Sequence, residues 1–101
     1  MYDMKKLGNL ATINKSAPAA TKAFWAFNEA AFADGALDRL TKELIALGVA
    51  LTTQCPYCIE LHTKAAREAG ATDAQLSEAA MVAAAIRAGG AVTHATHMFE
   101  G

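Results

Sequence analysis

The stretch LDRLTKELIALGVALTTQCPYCIELH, residues 37–62, decides the fold. Leu37, Leu40, Leu44, Leu47 and Leu51 follow one another at alternating steps of three and four. That spacing lines one face of a helix, so it predicts a helix over residues 37–52 with the leucine stripe buried. Thr52, Thr53 and Gln54 weaken the helix ahead of Cys55-Pro56, and a residue before proline is biased away from helical backbone. Pro56 suits the first position of a new helix, which runs over Ile59, Leu61, Ala65 and Ala66 to a stop at Gly70. Two amphipathic helices joined by a sharp break are expected, with Cys-Pro-Tyr-Cys at the start of the second.

Working outward, an earlier helix is expected from Ser16 as N-cap, with Pro18 in its first turn, through Phe24, Trp25, Phe27 and Phe32 to Asp34-Gly35. Thr72 with Gln75 three residues on is a capping-box pattern that opens a fourth helix, reaching about Arg87. Gly89-Gly90 separates it from a short fifth helix holding His94, His97, Met98 and Phe99. Residues 1–15 lack a clear period and read as a partly ordered N-terminal arm, with Leu7, Leu10 and Ile13 able to dock; residues 16–101 form the helical domain. The aromatics of the first helix, with Met81, Met98 and Phe99, read as core or subunit-contact material.

Composition agrees with one all-α domain of five or six helices: 101 residues, 53% hydrophobic, with only 2 Pro and 7 Gly. A net charge of -1 and the lack of a basic run leave no electrostatic footprint for nucleic acid. The longest apolar run, residues 44–51, is too short to span a bilayer, and the first residues carry no hydrophobic signal segment. No membrane partner and a cytoplasmic address are the expectation.

Cys55 and Cys58 stand too close in sequence to staple distant parts of a fold, and read instead as a redox or metal-binding pair. With Pro56 as first helical residue, Cys55 is the N-cap and Cys58 lies in the first turn. Unpaired amide N–H groups and the helix dipole there favour an anion, so both thiols should gain thiolate character. His62 follows Cys58 by four residues, on the same helical face, where its imidazole can exchange a proton with that thiol. This relationship favours Cys58 as the assisted nucleophile, whereas the N-cap position alone favours Cys55. If the helices on either side of residue 54 fold antiparallel, Glu43 and His62 come level to within roughly 5 Å at 1.5 Å per residue, and the carboxylate can orient the imidazole.

Cys-Pro-Tyr-Cys also occurs in glutaredoxins, but those place it after a β-strand, and here a leucine helix precedes it. Glu43, eleven intervening residues, then Cys55-x-x-Cys58-x-x-x-His62 resembles the signature of the AhpD-like branch of the carboxymuconolactone decarboxylase family, over about residues 20–100. The resemblance implies an all-α homo-oligomer, trimer or hexamer, acting as a thiol-dependent alkylhydroperoxidase or a disulfide reductase. It further implies Cys58 as the peroxide-attacking cysteine, Cys55 as its resolving partner, and His62 with Glu43 as a proton relay. In the best-known alkylhydroperoxidase of this type a second histidine lies between the cysteines, where Tyr57 stands here.

The substrate implied is a small hydroperoxide, with no bound cofactor and with electrons from an external dithiol such as a lipoyl group. Three other readings compete: a disulfide reductase without peroxidase turnover, a non-catalytic redox-sensing oligomer, and a zinc site made of Cys55, Cys58, His62 and either His94 or His97. His94 and His97 are more simply placed as last-turn residues favoured by the negative helix end.

Overall fold

The computed structural model describes residues 2–101 and is helical throughout, with five α-helices and no strand among the described residues. Helix α1 spans Leu10–Ser16, α2 Pro18–Phe32, α3 Arg39–Thr53, α4 Pro56–Glu68 and α5 Asp73–His94. Short 3-10 turns precede α1, at Met4–Asn9, and follow α5, at Ala95–Met98. Within the N-terminal arm, residues 4–16 are therefore helical. Ser16 is not the cap of the aromatic helix but the last residue of α1; Ala17 takes the cap position of α2, with no side-chain hydrogen bond, ahead of Pro18.

The capping chemistry fixes the other boundaries. Asp38 accepts the Thr41 amide at 2.8 Å and starts α3, so Leu37 lies outside the helix. Gln54 ends α3 in the left-handed region at φ 56, ψ 48, donating its amide to the Ala50 carbonyl. At the start of α5, the Thr72 hydroxyl accepts the Gln75 amide at 3.1 Å while Gln75 Oε1 accepts the Thr72 amide at 2.9 Å. Gly89-Gly90 does not break α5, which continues to His94. Glycine costs roughly 1 kcal/mol relative to alanine inside a helix but removes no donor or acceptor, so the alanine-rich flanks carry the helix through.

Helix α3 is the centre of the body, with α4 folded back on one side and α5 packed on another. Helices α1 and α2 form an outlying hairpin, tied by the Trp25 indole N–H to Asn14 Oδ1 at 2.9 Å, and α2 meets α3 only lightly. The buried apolar residues are few: Leu47, Ala50, Ala66 and Ala83. The leucine stripe is accordingly only partly interior, because Leu40, Leu44 and Leu51 are half-buried and Leu37 is exposed. Phe24, Trp25, Phe27, Met81, Met98 and Phe99 are also exposed, so they are not core of the single chain. The radius of gyration is 17.0 Å, whereas a compact domain of this length has about 13 Å.

Candidate redox site

Gln54 and Pro56 place the cysteine pair. The left-handed turn at Gln54 reverses the chain, and Cys55, in extended backbone at φ -96, ψ 101, becomes the N-cap of α4. Pro56 fills the first helical position, where its missing N–H removes nothing that the helix uses. Arg87 Nη1 on α5 donates to the Thr52 carbonyl at 3.1 Å, satisfying one of the last-turn acceptors of α3 beside this turn.

The two thiols face each other, Sγ to Sγ, at 2.7 Å, and both are half-buried. The two sulfurs are within hydrogen-bonding distance of each other, and Cys55 Sγ accepts the Cys58 amide at 3.3 Å. The Cys58 thiol proton, followed by the Cys58 amide, holds the Cys55 pKa below the ordinary thiol range. Cys58 moves the other way, because its thiol is the donor, with burial and the negative charge on Cys55 adding to the rise. The expectation that both thiols gain thiolate character thus gives way to a split. Each helix-start argument treats one thiol alone, but at this separation the contact that favours the anion on Cys55 disfavours it on Cys58.

Glu43 sits in the second turn of α3 with no exposure and is the largest fully buried side chain among the described residues. His62 Nδ1 lies 2.8 Å from Glu43 Oε1 and 3.5 Å from Oε2. With Glu43 as a carboxylate acceptor, a neutral His62 carries its proton on Nδ1 and keeps the lone pair on Nε2. Phe32, the last residue of α2, stacks on the imidazole: its ring lies 4.9 Å from that of His62, between centroids, at an interplanar angle of 13°. Tyr57 receives the ring of Tyr2 edge-on at 5.4 Å.

The folded chain thus brings together Cys55 with Cys58 and Glu43 with His62, the last two by the antiparallel folding of α3 and α4. His94 and His97 instead face each other, with ring centroids 6.1 Å apart, and His94 Nδ1 donates to the Gly90 carbonyl at 2.9 Å. Among the described residues no three His, Cys, Asp or Glu side chains gather at metal-ligand spacing, so the four-residue zinc set is not assembled. Sequence spacing gave no hint of Phe32 in the site, since its contact depends on how α2 returns to α3.

Residues 18–101 match the carboxymuconolactone decarboxylase family. An uncharacterised protein of the cox locus of Paracoccus denitrificans is 59% identical over 73 residues, covering 72% of this chain and 66% of that protein. An uncharacterised Cupriavidus necator protein is 39% identical over 66 residues, 65% of this chain and 58% of its own length. The chain therefore matches only part of these longer relatives. Among solved structures, a Methanobacterium thermoautotrophicum protein superposes with a TM-score of 0.82 at 36% identity, over 87% of this chain and 99% of its own. A Legionella pneumophila carboxymuconolactone decarboxylase family protein gives 0.77 at 36%, over 81% and 73%. A Thermotoga maritima member, whose description suggests a role in the antioxidative response, gives 0.62 at 34%, over 64% and 67%. No helix among the described residues is long and apolar enough to cross a membrane.

Proposed function

This chain belongs to the carboxymuconolactone decarboxylase family, and within it we propose that it acts as a thiol-dependent peroxidase with Cys55 and Cys58 as redox centre. His62 and Glu43 serve as its proton relay. The observation that carries this reading is the buried Glu43. An interior carboxylate is costly unless paired, and an apolar residue would fill the same space more cheaply. Here its partner is the imidazole of His62, which follows Cys58 by one turn of α4, and Cys58 in turn faces Cys55. The description of the Thermotoga maritima relative points the same way.

In the proposed cycle His62 Nε2 takes the Cys58 proton, and the Cys58 thiolate attacks the distal oxygen of a small hydroperoxide. The O–O bond breaks; the alkoxide leaves as an alcohol with the proton from His62, and Cys58 becomes a sulfenic acid. Cys55, the more acidic thiol and already 2.7 Å away, attacks that sulfur, and hydroxide departs to become water as the disulfide forms. An external dithiol, such as a lipoyl group, reduces the disulfide by two exchange steps. The balance is one hydroperoxide and one dithiol consumed, with one alcohol, one water and one oxidised dithiol formed.

The charge distribution favours a second reading, disulfide reduction. Cys55, as the acidic N-cap thiol, would attack a substrate disulfide, and Cys58, deprotonated by His62, would resolve the mixed disulfide. Reduced protein supplied with hydroperoxide and dihydrolipoamide separates the two. Continuous loss of both reagents, abolished by Cys58→Ser, supports the peroxidase. Turnover of small disulfides with no hydroperoxide loss supports the reductase instead.

The proposal includes assembly with further copies of this chain, as a trimer or hexamer. Helix α2 is almost wholly exposed, and α3 and α5 leave an open apolar groove of about 630 Å³ lined by Leu44, Ile45, Val49, Val82 and Ile86. Another copy is the partner whose own apolar faces match such a surface.

A further inference from the structure

We propose that Phe32 is a positioning residue for His62, setting the plane in which the imidazole presents Nε2 to the thiols. The inference rests on the relay reading above and adds a residue to it. Glu43 holds one atom of the ring, Nδ1, at 2.8 Å. One hydrogen bond at a ring edge leaves the plane undefined, because the histidine χ2 torsion is broad and the ring can pivot about the contact. The near-parallel stack on Phe32, 4.9 Å between centroids and 13° between planes, supplies the missing constraint.

Phe32 is suited to this by where α2 ends. It is half-buried, whereas Phe24, Trp25 and Phe27 on the same helix are exposed, so it is the aromatic that α2 turns towards α4. The chain just beyond is anchored to α3 twice: the Ala33 carbonyl accepts from Lys42 Nζ, and Asp34 Oδ1 accepts the Arg39 amide at 2.7 Å. Those bonds fix the end of α2 and with it the ring. The charged neighbours of His62 come from elsewhere. Glu43 lies on α3 and the thiols lie at the start of α4; Lys42 is committed to Ala33, and Glu29, one turn back on α2, is exposed. Phe32 therefore contributes orientation and, while His62 holds the thiol proton, an aromatic face that attracts a cation.

The test uses the full chain in a Cys55→Ser background, where Cys58 is the sole thiol, and measures its alkylation by iodoacetamide across pH. This readout does not depend on hydroperoxide being the substrate. Phe32→Leu keeps an apolar side chain but loses the flat face, and should slow Cys58 at neutral pH by roughly three- to thirty-fold, while Phe32→Tyr stays within about two-fold. In a His62→Gln background, Phe32→Leu should add no further loss, since it acts through the imidazole. The upfield ring-current shift of the His62 ring protons should survive in Phe32→Tyr and vanish in Phe32→Leu. Parent-like alkylation in Phe32→Leu, beside a slow His62→Gln, would overturn the role of Phe32 and leave the relay standing. A Phe32→Leu loss that persists in full without His62 would also overturn it, as a packing effect. A His62→Gln protein as reactive as its parent would remove the relay itself and this inference with it.

Discussion

Replacing Glu43 by glutamine removes the charge at the base of the relay while keeping the shape and one acceptor oxygen. The wild-type contact is short, 2.8 Å from Nδ1 to Oε1, and the carboxylate is fully buried, so solvent does not screen it. When His62 holds the thiol proton, the imidazolium and carboxylate charges sit roughly 4 Å apart. At an effective dielectric constant of about 20 their attraction is on the order of 4 kcal/mol. Losing that from the proton-transfer step, with one decade per ~1.4 kcal/mol, gives a slowing of about 10³-fold. This figure falls inside the roughly 10²- to 10⁴-fold range for general-base assistance. Single-turnover oxidation of reduced Glu43→Gln by cumene hydroperoxide, followed by loss of free thiol, measures it. The variant should fold normally, because glutamine also removes the cost of burying a charge. A folded Glu43→Gln protein oxidised within about three-fold of the wild-type rate, where a 10²-fold loss is the least expected, would refute the relay.

Cys58→Ser should leave no peroxide-derived product, whereas Cys55→Ser should stop at a sulfenic acid that dimedone traps; trapping on Cys55 in Cys58→Ser would reverse the two roles. Cys55 should alkylate with a midpoint below the free-thiol value of roughly 8.5, and Cys58→Ala should move that midpoint up, because it removes the donor mainly responsible for the lowered Cys55 pKa. An unchanged midpoint would mean that the facing thiols are not coupled. Gln54→Gly should raise stability by about 0.5–1 kcal/mol in urea, since φ 56 costs glutamine what glycine does not pay, and a loss of stability would show that the Gln54 side chain matters to the turn. Light scattering at micromolar concentration should give a multiple of the chain mass, and a monomer would contradict the assembly.

The break at residues 54–56 was legible because glutamine, cysteine and proline act locally there, and the Thr72–Gln75 capping box for the same reason. The meeting of Glu43 with His62 could be worked out from helix rise, once the break was placed. The split between the thiols could not, since the helix dipole acts on each separately and only their 2.7 Å separation couples them. The leucine spacing marked α3 as amphipathic, yet Leu37, Leu40, Leu44 and Leu51 are not fully buried, because periodicity tells which face is apolar and not how much of it this chain alone covers. Gly89-Gly90 reads as a break in the sequence, yet α5 passes through it because alanine on both sides outweighs two weak positions. Phe32 was invisible for a different reason: its contact with His62 spans two helices and a turn, and no local pattern encodes it.

The most direct test of the redox centre is the intact mass of the fully reduced chain before and after one equivalent of a small alkyl hydroperoxide. The expected result is a chain lighter by two hydrogens, with peptide mapping that joins Cys55 to Cys58 and one equivalent of alcohol released. A chain of unchanged mass, with both thiols still free and the hydroperoxide intact, would contradict the assignment.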